Sequence, residues 1–143
     1  MGLIFPVRST FLTINNFLDK GGGYSGKEWN NAEILNFLKF IPQNSDKKLF
    51  IYSNYPHAVY FLANTYAKWS PPKTYYNSNT IYENLSDLEG TWPPRNSVYL
   101  VWFRQQGQRD WLYTPKELMT ISNMKIIDSV NTGSIYLVSR VKK

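Results

Sequence analysis

The sequence holds one histidine, His57, and it lies in a polar corner, Ser53-Asn54-Tyr55-Pro56-His57, between two apolar runs. An imidazole beside a hydroxyl can act as a general acid or base, or as a metal ligand. A Ser-His-Asp triad can be written from Ser53, His57 and any aspartate. No G-x-S-x-G elbow presents the serine, however, and Ser53 and His57 stand too close in sequence to argue for that geometry. Zinc would need carboxylates to complete its shell, because there is no second histidine and no cysteine, and none crowds this corner. Asp87 with Glu89, and Asp110 near Glu117, come nearest to carboxylate pairs. A glycosidase needs two carboxylates facing across a cleft, about 5 to 9 Å apart, and helix capping already accounts for Glu89 and Glu117. The run GGGYSGK at 21–27 imitates a phosphate-binding loop, but Glu28 stands where the Mg²⁺-binding hydroxyl belongs, and no buried strand leads into it. These residues imply no catalytic residue, no metal and no cofactor. Asn54, Tyr55 and His57 remain as ligand-binding candidates.

The corner needs a strand before it and a helix after it. Residues 49–52 are an apolar burst that reads as a short buried strand. Val59, Leu62, Ala63 and Tyr66 then recur at helical spacing. Asn54 is expected to cap that helix, accepting the free N–H groups of its first turn, and Pro56 has no N–H that needs a partner. The corner thus lies past the carboxyl end of its strand, where open α/β sheets hold ligands. The continuously apolar run VYLVWF at 98–103 predicts a central strand buried on both faces. Arg104 follows it. If the two strands are parallel, Arg104 joins Asn54, Tyr55 and His57 and can hold an anionic group such as a phosphate.

The other elements follow from caps and breaks. Phe11, Ile14 and Leu18 form a stripe that ends at the glycines of 21–23. Ser25-x-x-Glu28 and Asn30-x-x-Glu33 are helix starts before the stripe Ile34, Phe37, Leu38 and Ile41, and Pro42 stops that helix. Residues 67–96, rich in Pro, Asn and Tyr, read as a long ordered surface loop with a short helix after Ser86. Its aromatic residues Trp69, Trp92, Tyr75, Tyr76 and Tyr82 either close the loop over the sheet or form a stacking platform for a sugar. Thr114-Pro115-Lys116-Glu117 starts a short helix with a capping box. Residues 125–130 are a strand, Asn131-Thr132-Gly133 a hairpin loop with Gly133 left-handed, and 134–140 the returning strand. The expected fold is therefore α/β, a small single-domain mixed sheet of about four or five strands with helices packed on it, ending in an antiparallel hairpin.

Composition narrows the class. At 143 residues the chain fits one domain that can bury a core unaided. Hydrophobic residues at 43% and charged residues at 18% exclude a disordered chain. The net charge is +6, but the basic residues are scattered, with the densest spots at Lys47-Lys48 and Lys142-Lys143. That is not the basic stripe with interleaved aromatics of a nucleic-acid binder, and no nucleic-acid partner is expected. The lack of cysteine excludes disulfides and thiolate chemistry. No stretch approaches the roughly 20 apolar residues of a membrane span.

Several landmarks taken in order carry a resemblance: Gly23-Tyr24 before Trp29, the helix ending at Pro42, IYSNYPHAVYFLA, KWSPPK, VYLVWF, and a last strand GSIYLVSR. Over residues 24–140 the chain resembles the C-terminal soluble domain of bacterial, notably cyanobacterial, multi-pass membrane proteins. Those proteins are similar to polyprenyl-phosphate-dependent glycosyltransferases of the dolichyl-phosphate-mannose mannosyltransferase type. The resemblance implies an extracytoplasmic, periplasmic accessory domain (24–143) tethered to the inner membrane through a juxtamembrane-like segment (1–23). Its partners would be the membrane-embedded part of the same parent protein, and a polyprenyl-phosphate sugar or glycan acceptor. The catalytic acid of such enzymes lies in an early membrane loop that this chain does not contain, so the resemblance carries no catalytic residue onto it. Two other classes stay open beside this one. One is a free-standing small α/β enzyme or binding protein using the Asn54–His57 corner. The other is a protein-interaction module using the aromatic loop.

Overall fold

In the computed structural model, residues 33–40, 50–104 and 109–141 are described. The segment 1–23, the phosphate-loop imitation at 21–27, the helix starts at Ser25 and Asn30, and the stop at Pro42 lie outside them. The described elements are α1 (Glu33–Phe40), β1 (Ile51–Ser53), α2 (Pro56–Ala63), β2 (Lys68–Trp69), α3 (Leu85–Leu88), β3 (Ser97–Phe103), α4 (Pro115–Leu118), β4 (Ser122–Val130) and β5 (Gly133–Arg140). The five strands form one mixed sheet in the order β2-β1-β3-β5-β4. β1 pairs parallel with both β2 and β3, whereas β5 runs antiparallel to β3 and to β4. The fold is α/β, with the antiparallel β4–β5 hairpin at its C-terminal end.

Strand alternation sorts the core into two faces. Tyr52, Val98, Leu100, Tyr136 and Val138 point to one face, where Leu88, Trp92, Tyr113, Leu118 and Ile121 cover them. The opposite face, with Val101 and Ile135, receives α1 and α2, and Ile34 and Leu38 of α1 and Ala58 and Val59 of α2 are buried. β3 is central and covered on both faces, as its unbroken apolar run requires.

Several boundaries differ from the sequence expectation: β1 spans Ile51–Ser53 and not 49–52, and β4 starts at Ser122 and not at 125. α2 ends at Ala63 because Asn64 takes a left-handed conformation (φ 48°), which leaves Tyr66 outside the helix and exposed. Lys68 and Trp69 then form a parallel edge strand inside the stretch expected to be loop. The short helix of that stretch is capped two residues earlier than expected: Asn84 is its cap and Asp87, not Glu89, completes the box.

The hairpin loop is shorter than expected. Val130 pairs with Gly133, so Asn131-Thr132 alone make the turn, and Gly133 is extended, not left-handed. Gly133 is needed for closeness. A Cβ there would collide with the Trp102 carbonyl oxygen and come within 2.6 Å of Ile34 Cδ1. Gly133→Ala should therefore destabilise the fold by about 1 to 3 kcal/mol through overpacking. A denaturant melt showing the mild gain usual for Gly→Ala at an unstrained site would contradict that close approach.

The box at α4 forms as expected. Glu117 Oε2 accepts from the Thr114 N–H at 2.7 Å and from its hydroxyl at 2.7 Å, while Glu117 N–H donates to Thr114 Oγ1 at 3.3 Å. Burial opposes ionisation of Glu117, but the Thr114 hydrogen bonds and the nearby Lys73 ammonium outweigh it and hold the carboxyl below its ordinary range. A depressed folded value means that this stabilisation is complete above the unfolded pKa of about 4.3 and is lost as pH falls through the lower folded value. Melting curves of Glu117→Gln should lie below those of the parent at neutral pH and converge with them in acid. A deficit that stays constant with pH would sink this assignment.

Candidate functional site

The carboxyl ends of the parallel strands β1, β2 and β3 lie together, and the chain leaves them in opposite directions. After β1 it passes to α2 on one face, and after β2 and β3 it passes to the segments covering the other. Such a split opens a crevice beyond the strand ends. Backbone hydrogen bonds fix what lines it. Ser70 N–H donates to the Ser53 carbonyl at 2.9 Å, and Tyr113 N–H to the Pro71 carbonyl at 3.0 Å. Lys73 N–H donates to the Trp111 carbonyl at 2.8 Å. These bonds seat residues 109–113, which follow β3, beside residues 71–73, which follow β2.

The result is a cluster of rings around one guanidinium. Trp69 and Trp111 lie with ring centres 5.1 Å apart, tilted by 56°. The His57 ring stands edge-on to Trp69 at 5.7 Å, and Tyr76 edge-on to Trp111 at 5.7 Å. Arg109 Cζ sits 4.3 Å from the centre of the Tyr55 ring and 5.8 Å from that of Trp69. Both indoles are half-buried. An open groove of about 610 Å³ includes Trp69, His57, Tyr60, Tyr66 and Lys68 in its lining. A second, of about 400 Å³, is bounded by Trp111, Arg109 and Asp110 and by the polar tip of the 73–82 hairpin, including Tyr76 and Asn77. That hairpin is held by Tyr82 N–H to Lys73 O at 2.9 Å and Tyr75 N–H to Thr80 O at 3.1 Å.

The structure divides the four residues expected at this site. Tyr55 and His57 lie at the ring cluster, Tyr55 buried beneath Arg109 and His57 against Trp69. His57 is exposed, and no hydrogen bond joins it to Ser53, whose buried hydroxyl instead accepts from the Tyr55 N–H at 3.0 Å. Asn54 is not the helix cap. The cap position belongs to Tyr55, and it lacks a side-chain cap bond. Asn54 is buried and bonded through both ends of its amide to Phe103: Nδ2 donates to the Phe103 carbonyl at 2.8 Å, and Oδ1 accepts from the Phe103 N–H at 2.8 Å. It continues the β1–β3 ladder with a side chain. Arg104 does follow a strand parallel to β1, but its guanidinium donates to the Val130 carbonyl at 2.8 Å, to Ser129 Oγ at 2.9 Å and to Ser134 Oγ. Its donors lock the β4–β5 hairpin instead of facing a ligand.

Arg109 and Trp111 were not singled out by their sequence pattern, because an Arg-Asp-Trp at the end of a polar loop looks like any exit from a turn. The aromatic residues of 67–96 divide as well. Trp92 is in the core, edge-on to Tyr52 at 4.7 Å, whereas Trp69 and Tyr76 face the grooves. Among the described residues no group of His, Asp and Glu side chains is placed to hold a metal, and no helix is long and apolar enough to cross a membrane. Comparison with known proteins finds no matching family, no matching curated protein and no matching solved structure.

Proposed function

We propose that the chain is a non-catalytic glycan-binding domain, the extracytoplasmic accessory part of a polyprenyl-phosphate-dependent membrane glycosyltransferase-like protein. In this reading the domain is tethered through its N-terminal segment and positions an acceptor, or covers the active site, of the membrane-embedded part. The observation that supports binding of a sugar is the Trp69–Trp111 pair, with one indole lining each of two adjacent open grooves. Indole rings offer the apolar faces that sugar rings cover, while Asn77, Ser78, Asn79 and Thr74 offer donors and acceptors for hydroxyls. The reading without catalysis rests on how the acids are used: Glu117 and Asp87 are tied into helix caps, and among the described residues Asp110 has no second carboxylate beside it in its groove. The membrane context rests on the ordered sequence resemblance.

A panel of oligosaccharides titrated against the purified chain, followed by amide shifts and tryptophan fluorescence, tests the binding. Shifts are expected at His57, Trp69, Tyr76 and Trp111, with Arg104 silent. Trp111→Ala should weaken binding about tenfold, the loss of roughly 1.4 kcal/mol of ring contact. Silence across the panel removes this reading. So does turnover of a glycoside or sugar phosphate that is lost on mutating a residue of this chain.

A further inference from the structure

Arg109 lines the Trp111 groove, and among the described residues no carboxylate pairs with it. Its guanidinium carbon lies 4.3 Å from the centre of the Tyr55 ring and 5.8 Å from that of Trp69, and among the described residues its buried Nε has no acceptor. The ion pair among the described residues joins Lys73 to Glu117 at 3.5 Å, and Asp110, adjacent in sequence, does not reach Arg109. A half-buried cation without a carboxylate is stripped of part of its hydration, and ring faces replace only some of it. Its remaining N–H groups form the planar fork that fits a carboxylate or phosphate in two parallel hydrogen bonds. Asp110 opposes an anion in the same groove, but it is exposed and screened by solvent, whereas Arg109 is held in place.

We infer that the glycan taken by this site is acidic, with its acid group on Arg109 and a sugar ring against Trp111. This rests on the glycan-binding reading and adds to it the class of sugar. The hydroxyl and amide side chains of the hairpin tip carry no charge, so the discrimination between an acidic and a neutral sugar falls on Arg109.

Uronic-acid oligosaccharides and their carboxyl-reduced, neutral counterparts form matched pairs that differ only in a carboxylate against a hydroxymethyl group. Titrated into the full chain at low salt, the acid form should bind about tenfold more tightly than its reduced partner. Raising the salt should narrow the gap. Arg109→Gln should bring the two forms to parity, while Arg109→Lys keeps part of the preference through its charge. Equal binding of both forms by the parent chain overturns the acidic-sugar inference and leaves the glycan reading standing. Failure of every oligosaccharide, acidic and neutral, removes both. Inorganic phosphate bound alone as tightly as the acidic oligosaccharide also overturns the inference, because the groove would then be a simple anion site. The parent-chain comparison needs no variant, so it decides the matter even if Arg109→Gln folds poorly.

Discussion

Leu100→Ala is expected to destabilise the protein by about 2 to 5 kcal/mol. Leu100 is fully buried at the middle of β3, the central strand, with Tyr52 of β1 on one side and Tyr136 of β5 on the other. Its own face of the sheet is covered by Trp92, Tyr113 and Leu118. The cost of truncation depends on whether the surroundings can fall into the hole. Here they are largely rings, and Tyr52 and Trp92 already brace each other edge-on at 4.7 Å. Rigid neighbours relax little, which places the effect in the upper half of that range. Ile126→Ala, on the edge strand β4 and 55% exposed, is the matched control and should stay within about 0.5 kcal/mol. Denaturant midpoints at unchanged slope compare the two directly. A Leu100 variant no weaker than the Ile126 variant would mean that β3 is not the centre of the core.

The strand carrying Leu100 was legible because six apolar residues in succession admit few exposed placements, and the Thr114–Glu117 box because its grammar is local. Elements that depend on distant partners were not legible. β2 is two residues long, one of them an exposed lysine, and it exists because β1 offers an open edge for Trp69. The start of α3 was expected at Ser86-x-x-Glu89, and the extended backbone at Asn84, with Asp87 closing the box, sets it two residues earlier. Gly133 was recognised as a required glycine for the wrong reason, since crowding by Trp102 and Ile34 cannot be read from a turn motif. The candidate site was half legible in the same way. Tyr55 and His57 follow β1 directly, so a strand–helix reading locates them. Arg109 and Trp111 reach them only because residues 111–113 register against 71–73, a pairing that leaves no periodic trace. Arg104 and Arg109 are five positions apart with the same chemistry, and only the fold assigns one to the hairpin and the other to the aromatic cluster.

Asn54 gives the sharpest separation between what its sequence position suggests and what the fold does with it. As a helix cap, its loss would cost about 1 kcal/mol and serine would replace it nearly without penalty, because serine and asparagine cap equally well. As the clamp between β1 and β3, its amide satisfies both the N–H and the carbonyl of Phe103 where water does not reach, the residue itself being 3% exposed. Removing it takes the Asn54 hydrogen bonds from two buried backbone groups, a loss of about 1 to 3 kcal/mol each, so Asn54→Ala should cost about 2 to 6 kcal/mol in all. Serine is too short to span both groups, and Asn54→Ser should fall close to alanine. Asn54→Asp adds a test by pH. A carboxylate can accept from the Phe103 N–H but would face its carbonyl oxygen, and burial raises the folded pKa of such a group. A raised folded value gives stability that is fully present below the unfolded pKa of about 3.9 and is lost as pH rises through the folded one. The aspartate variant should therefore approach the parent in acid and fall away from it toward neutrality. Melts in which Asn54→Ser matches the parent would return Asn54 to the helix cap, and would free the corner's one buried amide to act on a ligand.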